Sequence, residues 1–360
     1  METVEKRGRI AWIDALKLLA IFAVFVNHTH MILYTSLNIC YLSFFSVTLF
    51  VLLSGINSYA SYERREKSGE KILWRNCEGP KLKKVIFPYV IATGCYLLFE
   101  NGVLDLRSFI LSVLQFEAAA PFYFVLFYIQ LAAASRPLYY LIKATSKLNR
   151  PIIYYILEFI GSILVSALLM KYTYILPVYG GGQYLFGGTY LAVYFFGMLI
   201  GRYRSEIKFG KISGIISGFV FLGLLAGWSS FYIRDKFTLD VKIKYFGNWN
   251  PPGVSLFLLA ILILGLGISV DAVIRIYNVK FLIFLEDKVS VLGKYSYYIF
   301  LFHLLIISTL RTSRLGELVS CNIWLQRFVY VIITFGISIA LGFLMEKLMA
   351  WLKRIRAKSS

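Results

Sequence analysis

The stretch WIDALKLLAIFAVFVNHTHM, residues 12–31, decides the fold of this chain. Its apolar run is long enough to cross about 30 Å of hydrocarbon as an α-helix. It also carries an acid, Asp14, a base, Lys17, and two of the chain's three histidines, His28 and His30. Ionisable side chains inside a membrane helix usually face a protein interior or an aqueous cavity. The stretch therefore predicts a membrane helix that contributes to a working site.

Similar apolar runs continue along the whole chain of 360 residues, of which 59% are hydrophobic and 16% charged, with a mean hydropathy of +0.70. The runs lie at about 10–33, 41–60, 85–100, 121–141, 152–170, 184–201, 212–232, 254–270, 295–311 and 326–350. We predict an all-α, polytopic membrane helical bundle of about ten transmembrane helices. Residues 1–360 are expected to form a single integral membrane domain.

Lysine and arginine are unevenly distributed between the segments that join these spans. With the N-terminus inside the cell, the cytoplasmic segments hold about three times as many as the outer ones. This bias predicts that both termini are cytoplasmic, with a basic loop at 61–84 and a basic tail at 351–360, in a plasma or inner membrane. The net charge of +19 is interrupted by apolar spans, so no basic face for nucleic acid is expected. The sequence contains no CxxC or HExxH spacing, so it does not indicate a metal site.

Helical geometry sorts the polar groups of the first span. Lys17 and His28 are 11 residues apart, so they lie within roughly 20° of the same azimuth and about 16.5 Å apart along the axis. Asp14, one turn before Lys17, lies on the same stripe, whereas His30 faces elsewhere. Two interpretations of the inner end stay open, because Lys17 can pair with Asp14 or extend toward the cytoplasm instead of binding a ligand. His28 is the candidate general base, since imidazole suits that role near neutral pH.

Fewer polar residues interrupt the other spans. His303 lies near the middle of the ninth span, where a lone histidine is more often a packing residue than a catalyst. Ser296, about two turns earlier, is expected to cap that helix or to direct its hydroxyl at the site. Ser54 and Gly55 form a small pair that permits close helix packing.

Motifs along the chain resemble those of one family. Asp14, Lys17 and, after ten further residues, His28 are similar to the Asp-x-Leu-Arg, ten residues and His of the first helix in the acyltransferase-3 integral membrane acyltransferases. The other similar segments are VTLFVLLSGI (47–56), KKVIFPY (83–89), YFFGMLIGRY (194–203) and LGKYSYYIFLFH (292–303). The last resembles a Leu-Gly-x-x-Ser-Tyr-x-x-Tyr-Leu-x-His signature. The resemblance covers residues 9 to about 310.

The resemblance implies an O-acyltransferase that takes an acetyl or other short acyl group from cytoplasmic acyl-CoA. The acceptor would be a hydroxyl of a cell-envelope polysaccharide or lipid-linked glycan, with membrane lipids as the surroundings and no metal. His28 and Asp14 are the expected catalytic residues. Cations at the inner end are expected to dock the anionic donor, and they are Lys17, Arg75, Lys83 and Lys84. Further candidate site residues are Ser54, Ser296, Tyr297 and His303.

Two departures from the family pattern keep alternatives open. Lys17 replaces the family's arginine, and lysine cannot make the planar two-point contact to phosphate or carboxylate. The fourth span, PFYFVLFYI, lacks the usual His-x-Trp-Phe. The alternatives are a transporter or flippase for a lipid-linked sugar or small acid, and a non-catalytic member of a polysaccharide export complex. The chain has no inverted repeat of the sort that secondary transporters show.

Overall fold

The computed structural model describes residues 10–102, 105–172, 190–204, 206–207, 209–235, 253–312 and 323–359. Within these ranges all named secondary structure is helical. The helices are α1 Ala11–His28, α2 Leu37–Ser43, α3 Phe45–Lys67, α4 Trp74–Cys77, α5 Gly79–Asn101, α6 Leu106–Gln115, α7 Tyr123–Thr145, α8 Pro151–Tyr172, α9 Tyr190–Tyr203, α10 Lys211–Asp235, α11 Val254–Ile276, α12 Lys280–Gly293, α13 Ser296–Thr312 and α14 Ile323–Ser359. A short 3-10 helix, Ala120–Phe122, precedes α7.

The described helices form a multi-pass membrane bundle, as predicted. Seven spans are long and apolar enough to cross a membrane, or eight if α12 and α13, which meet at a bend of 60°, form one broken span. Each of the ten predicted spans contains a helix, but within the described residues α9 and the apolar part of α8, Pro151–Ser166, are shorter than a full span. The predicted start of the sixth span, at 184, lies outside the described residues. The number of ten and the cytoplasmic termini stay predictions.

Two polar segments are more helical than the sequence indicated. The loop predicted at 61–84 is helical at both ends, because α3 continues to Lys67 and α5 begins at Gly79 with Pro80 in its first turn. The tail predicted at 351–360 continues α14 as far as Ser359. Hydropathy marks where a chain leaves hydrocarbon, whereas helical hydrogen bonds continue into polar sequence, so the two boundaries differ.

The centre of the bundle is a close crossing of α3 and α9. A Cβ atom at Gly197 would lie 2.3 Å from the Leu52 carbonyl oxygen, and one at Gly55 would lie 2.3 Å from the Tyr194 carbonyl oxygen. Small residues in these places let two membrane helices approach backbone to backbone. This contact joins the apolar run ending in Ser-Gly to the Phe-x-x-Gly-Met segment, so two of the family-like motifs build one helix pair.

The segment between the third and fourth predicted spans contains a helix, α6, that the apolar runs did not indicate. A Cβ atom at Gly94 would lie 3.5 Å from the Phe109 ring, and the Tyr89 hydroxyl donates to the Val113 carbonyl at 2.9 Å. These contacts pair later residues of α6 with earlier residues of α5, so α6 runs back along α5. Its N-terminus is capped by Asp105, which accepts the Ser108 amide at 2.8 Å, and this hydrogen bond lowers the pKa of the Asp105 carboxyl.

Candidate active site

Two histidines from distant parts of the sequence meet inside the bundle. His28 is the last residue of α1, and His303 lies in the middle of α13. Their ring centroids are 5.0 Å apart, with an angle of 51° between the ring planes. His303 is fully buried, and His28 is partly buried. The structure therefore places His303, one of the candidate site residues named from the sequence, beside His28.

The backbone of α13 fixes the orientation of the His303 ring. Its Nδ1 atom is 2.7 Å from the Phe300 carbonyl oxygen and 3.2 Å from that of Ile299. A carbonyl oxygen only accepts hydrogen bonds, so Nδ1 carries the proton and Nε2 of the neutral ring keeps its lone pair. The Nε2 atom is buried, and within the described residues it has no hydrogen-bond partner. A buried acceptor of this kind is a candidate for contact with a reacting group.

Tyr96 of α5 shapes α13 around His303. Its hydroxyl donates to the Leu301 carbonyl at 3.1 Å and accepts the Leu305 amide at 3.0 Å. Leu301 and Leu305 are four residues apart, the spacing that a helix normally joins directly. A side-chain hydroxyl between such groups is a recognised cause of local helix distortion. Tyr96 therefore acts on both sides of His303, and no pattern in the sequence indicated this role.

Near the N-terminus of α1, Asp14 and Lys17 form an ion pair. Lys17 Nζ lies 2.9 Å from Asp14 Oδ1, and the Asp14 residue is 5% exposed. Of the two interpretations left open by the sequence, the structure has the paired one. Asp14 lies about 21 Å from His28 along the helix axis. Its carboxylate contacts Lys17 and not the imidazole, so the catalytic role expected for Asp14 stays a prediction.

The C-terminal motif also reaches this end of α1. A Cβ atom at Gly293 would lie 2.0 Å from the Asp14 carbonyl oxygen, so α12 ends directly against the α1 backbone. Lys294 and Tyr295 then make the bend that begins α13. The segment 292–303 thus contacts the N-terminal part of α1 through Gly293 and the C-terminal end of α1 through His303.

The other predicted donor-binding cations do not join Lys17. Arg75 lies on α4, Lys83 and Lys84 lie in the first turns of α5, and all three are exposed. Across the described residues, no hydrogen bond or ion pair connects them to Lys17. Tyr297 lies nearby, since its hydroxyl donates to the Val85 carbonyl at 2.8 Å. Tyr297 thus fastens α13 to the part of α5 that carries these lysines.

The remaining polar residues named from the sequence lie in three different surroundings. Ser296 is buried at the first residue of α13, but the Tyr295 carbonyl accepts the Tyr298 and Ile299 amides at 3.0 Å, so capping by the Ser296 hydroxyl is not observed. Ser54 directly precedes Gly55, whose backbone packs against α9 at the α3–α9 crossing. His30 packs on the ring of Tyr34, with centroids 5.5 Å apart.

A comparison with known protein families identifies the family of the chain. The model of the acyltransferase-3 family, described as an acyltransferase domain, matches residues 10–345. No protein of curated function and no solved structure matches the chain. In the described part of the chain, no three His, Cys, Asp or Glu side chains are grouped as a metal site. The family match includes α1, α13 and both histidines of the pair, and nearly the whole chain. The chain belongs to the acyltransferase-3 family and is a membrane acyltransferase.

Proposed function

We propose that this protein transfers an acetyl or other short acyl group from cytoplasmic acyl-CoA to a hydroxyl of a cell-envelope polysaccharide or lipid-linked glycan precursor. The reaction takes place at the His28–His303 pair, in a plasma or inner membrane with the inner end of α1 toward the cytoplasm. The observation that carries the proposal is the meeting of two imidazoles at 5.0 Å inside the helical bundle of an acyltransferase.

The pair suits an acyl transfer in which no net proton is consumed. His28 removes the proton of the acceptor hydroxyl as its oxygen attacks the thioester carbonyl. The carbon–sulfur bond breaks, and the proton passes to the departing thiolate, giving an ester and free CoA. His303 presents Nε2 as the acceptor for the N–H of protonated His28, because its Nδ1–H is held by the Phe300 carbonyl. A fixed neighbour of this kind orients a catalytic imidazole, as the third member of a catalytic triad does.

Histidine variants test the proposal directly. Each variant is expressed in cells that lack the gene. We expect His28→Ala and His303→Ala to form surface acyl esters at rates about 10²- to 10⁴-fold lower than the wild type, the range for loss of a general base. His30→Ala is the matched control, because this ring packs on Tyr34, outside the pair. Ester content is measured by NMR of purified surface glycans, with each variant's membrane level checked. Wild-type ester content in both pair variants would refute the proposed function.

The donor side has a separate test. If acetyl-CoA is a substrate, it should stabilise the detergent-solubilised protein against heat, by about 2.7 kcal/mol at 100 times its dissociation constant. A flippase for a lipid-linked sugar should show no such shift. Arginine would keep the positive charge that pairs with Asp14, so we expect Lys17→Arg to be tolerated. Lys17→Ala removes this charge and should raise the apparent KM for acetyl-CoA. An unchanged KM in Lys17→Ala would remove the docking role from this residue.

A further inference from the structure

Two rows of aromatic side chains lie on α13 and α7. On α13, Tyr297, Phe300 and His303 follow one another at intervals of three residues. The Phe300 ring centroid is 6.4 Å from that of Tyr297 and 6.2 Å from that of His303. On α7, the rings of Phe124 and Tyr128 are stacked with centroids 6.1 Å apart. Side chains three or four residues apart lie on one face of a helix, so each row is a stripe along its helix.

Phe124 and Phe300 join the two rows next to the histidine pair. Their ring centroids are 5.0 Å apart, and both residues are buried. Phe300 also supplies the carbonyl that orients the His303 ring. The two phenylalanine rings therefore meet between α7 and α13, one helical turn before His303.

On the other side of this contact, Tyr128 and Tyr297 border an opening in the protein. Both tyrosines lie deep inside the bundle, and they are close enough together to interact electrostatically. Both are nonetheless partly exposed. A deep side chain can keep exposed surface only where it lines an internal space. The rows of α7 and α13 thus have such a space between them, and the phenylalanine contact separates it from His303.

The two tyrosines lead to an ion pair at the start of α5. Tyr128 lies within electrostatic range of Glu78, and Glu78 Oε1 is 2.8 Å from Lys81 Nζ. The Glu78 side chain is buried, whereas that of Lys81 is 27% exposed. The series of residues that begins at His303 therefore becomes accessible at Lys81. The same end of the bundle holds the N-terminal part of α1, because Gly293, just before α13, lies against Asp14.

We propose that the acyl donor reaches the histidine pair along these two rows, and that Phe124 forms with Phe300 a gate that admits only short acyl groups. This inference rests on the proposed function, in which the N-terminal end of α1 faces the cytoplasm and its acyl-CoA. From that side the thioester arm of the donor passes Lys81 and the two tyrosines. Its acyl group then crosses the contact between the phenylalanine rings before it meets His28. The rings move apart for this step, and the gap that they open limits the size of the acyl group that follows.

The test changes Phe124, because Phe300 lies on the same helix as His303 and supports its ring. It uses full-length protein in membranes, with the lipid-extractable glycan fraction of cells that lack the gene as acceptor and radiolabelled acetyl-CoA or butyryl-CoA as donor. We expect Phe124→Ala to raise the ratio of kcat/KM for butyryl-CoA to that for acetyl-CoA by about tenfold or more, the low end of the discrimination that one methylene gives in an apolar site. Phe124→Leu, which keeps an apolar side chain of intermediate size, should raise the ratio less.

Phe159→Ala is the matched control, because the Phe159 ring packs on Phe196 and Phe257 instead of on the two rows. It should leave the ratio unchanged. An unchanged ratio in both Phe124 variants, whatever their overall rates, overturns the gate while transfer of acetyl by the wild type upholds the proposed function. An equal rise in Phe159→Ala, or a wild type that uses butyryl-CoA as readily as acetyl-CoA, also overturns the gate.

Two further measurements keep the outcomes apart. Wild-type protein that transfers neither acyl group overturns the proposed function itself. Elution as a single species and the unfolding temperature of each variant confirm that it is folded, and Phe124→Leu decides the question if Phe124→Ala does not fold.

Discussion

Replacing Gly293 by alanine should separate the N-terminal part of α1 from α12 and disturb the histidine pair, because His303 is about ten residues, or nearly three helical turns, further along the chain. The added Cβ atom would lie 2.0 Å from the Asp14 carbonyl oxygen and 2.7 Å from the Asp14 carbonyl carbon. Ordinary contact begins near 3.4 Å, so the two backbones must move apart by about 1.4 Å. Neither contacting atom belongs to a flexible side chain that could rotate away. The strain therefore falls on the packing of whole helices.

Two consequences of this displacement can be measured. Overpacking of a close contact costs about 1–3 kcal/mol, so Gly293→Ala should lower the unfolding temperature of the solubilised protein. The chain bends into α13 only two residues later, so the shift reaches His303, and a misplacement of about 1 Å at a reacting group can cost 10²-fold in rate. We therefore expect acyl transfer to fall by about 10²-fold while the protein still inserts.

The control is another glycine-to-alanine change in a helix. A Cβ atom at Gly223, on α10, would meet nothing within 4 Å. Gly223→Ala should leave transfer unchanged and stabilise the protein by up to about 1 kcal/mol, because alanine is the better helix former. If Gly293→Ala transfers acyl groups at the wild-type rate and unfolds at the wild-type temperature, the close approach of Gly293 to Asp14 is not what positions His303.

Three further predictions follow from the contacts described. Gly197→Ala places a Cβ atom 2.3 Å from the Leu52 carbonyl oxygen and should lower the free energy of unfolding by about 1–3 kcal/mol, measured by denaturation; an unchanged midpoint would contradict the α3–α9 crossing. Tyr96→Phe should reduce kcat by about tenfold or more with little change in stability, because Leu301 and Leu305 can then bond directly and reorient His303; a wild-type kcat would show that Tyr96 only packs. Asp14→Asn should lower the KM for acetyl-CoA, because Lys17 would then be available to an anionic donor. The decrease should be largest at low salt, where charges are least screened. A KM that does not change with salt in this variant would argue against donor binding by Lys17.

The sequence alone determined the class of the fold and the arrangement within α1. Apolar runs of membrane length require helices, because a backbone in hydrocarbon must satisfy its hydrogen bonds internally. The spacing of Asp14, Lys17 and His28 follows from the helical repeat, and the pair that Lys17 makes with Asp14 is a contact between helix neighbours three residues apart. Such local geometry needs no knowledge of other helices. The motifs also sufficed for the resemblance to the family that the chain belongs to.

The tertiary structure alone decided which residues share a site. His303 was one of several candidate site residues in the sequence, and only the crossing of α1 and α13 places its ring beside His28. Hydropathy likewise did not reveal α6, which folds back along α5 as far as Tyr89. Periodicity describes the faces of one helix, whereas the meeting of two faces depends on crossings and bends fixed by contacts such as Gly293 against Asp14. Those contacts join residues far apart in the chain, so no local pattern in the sequence reports them.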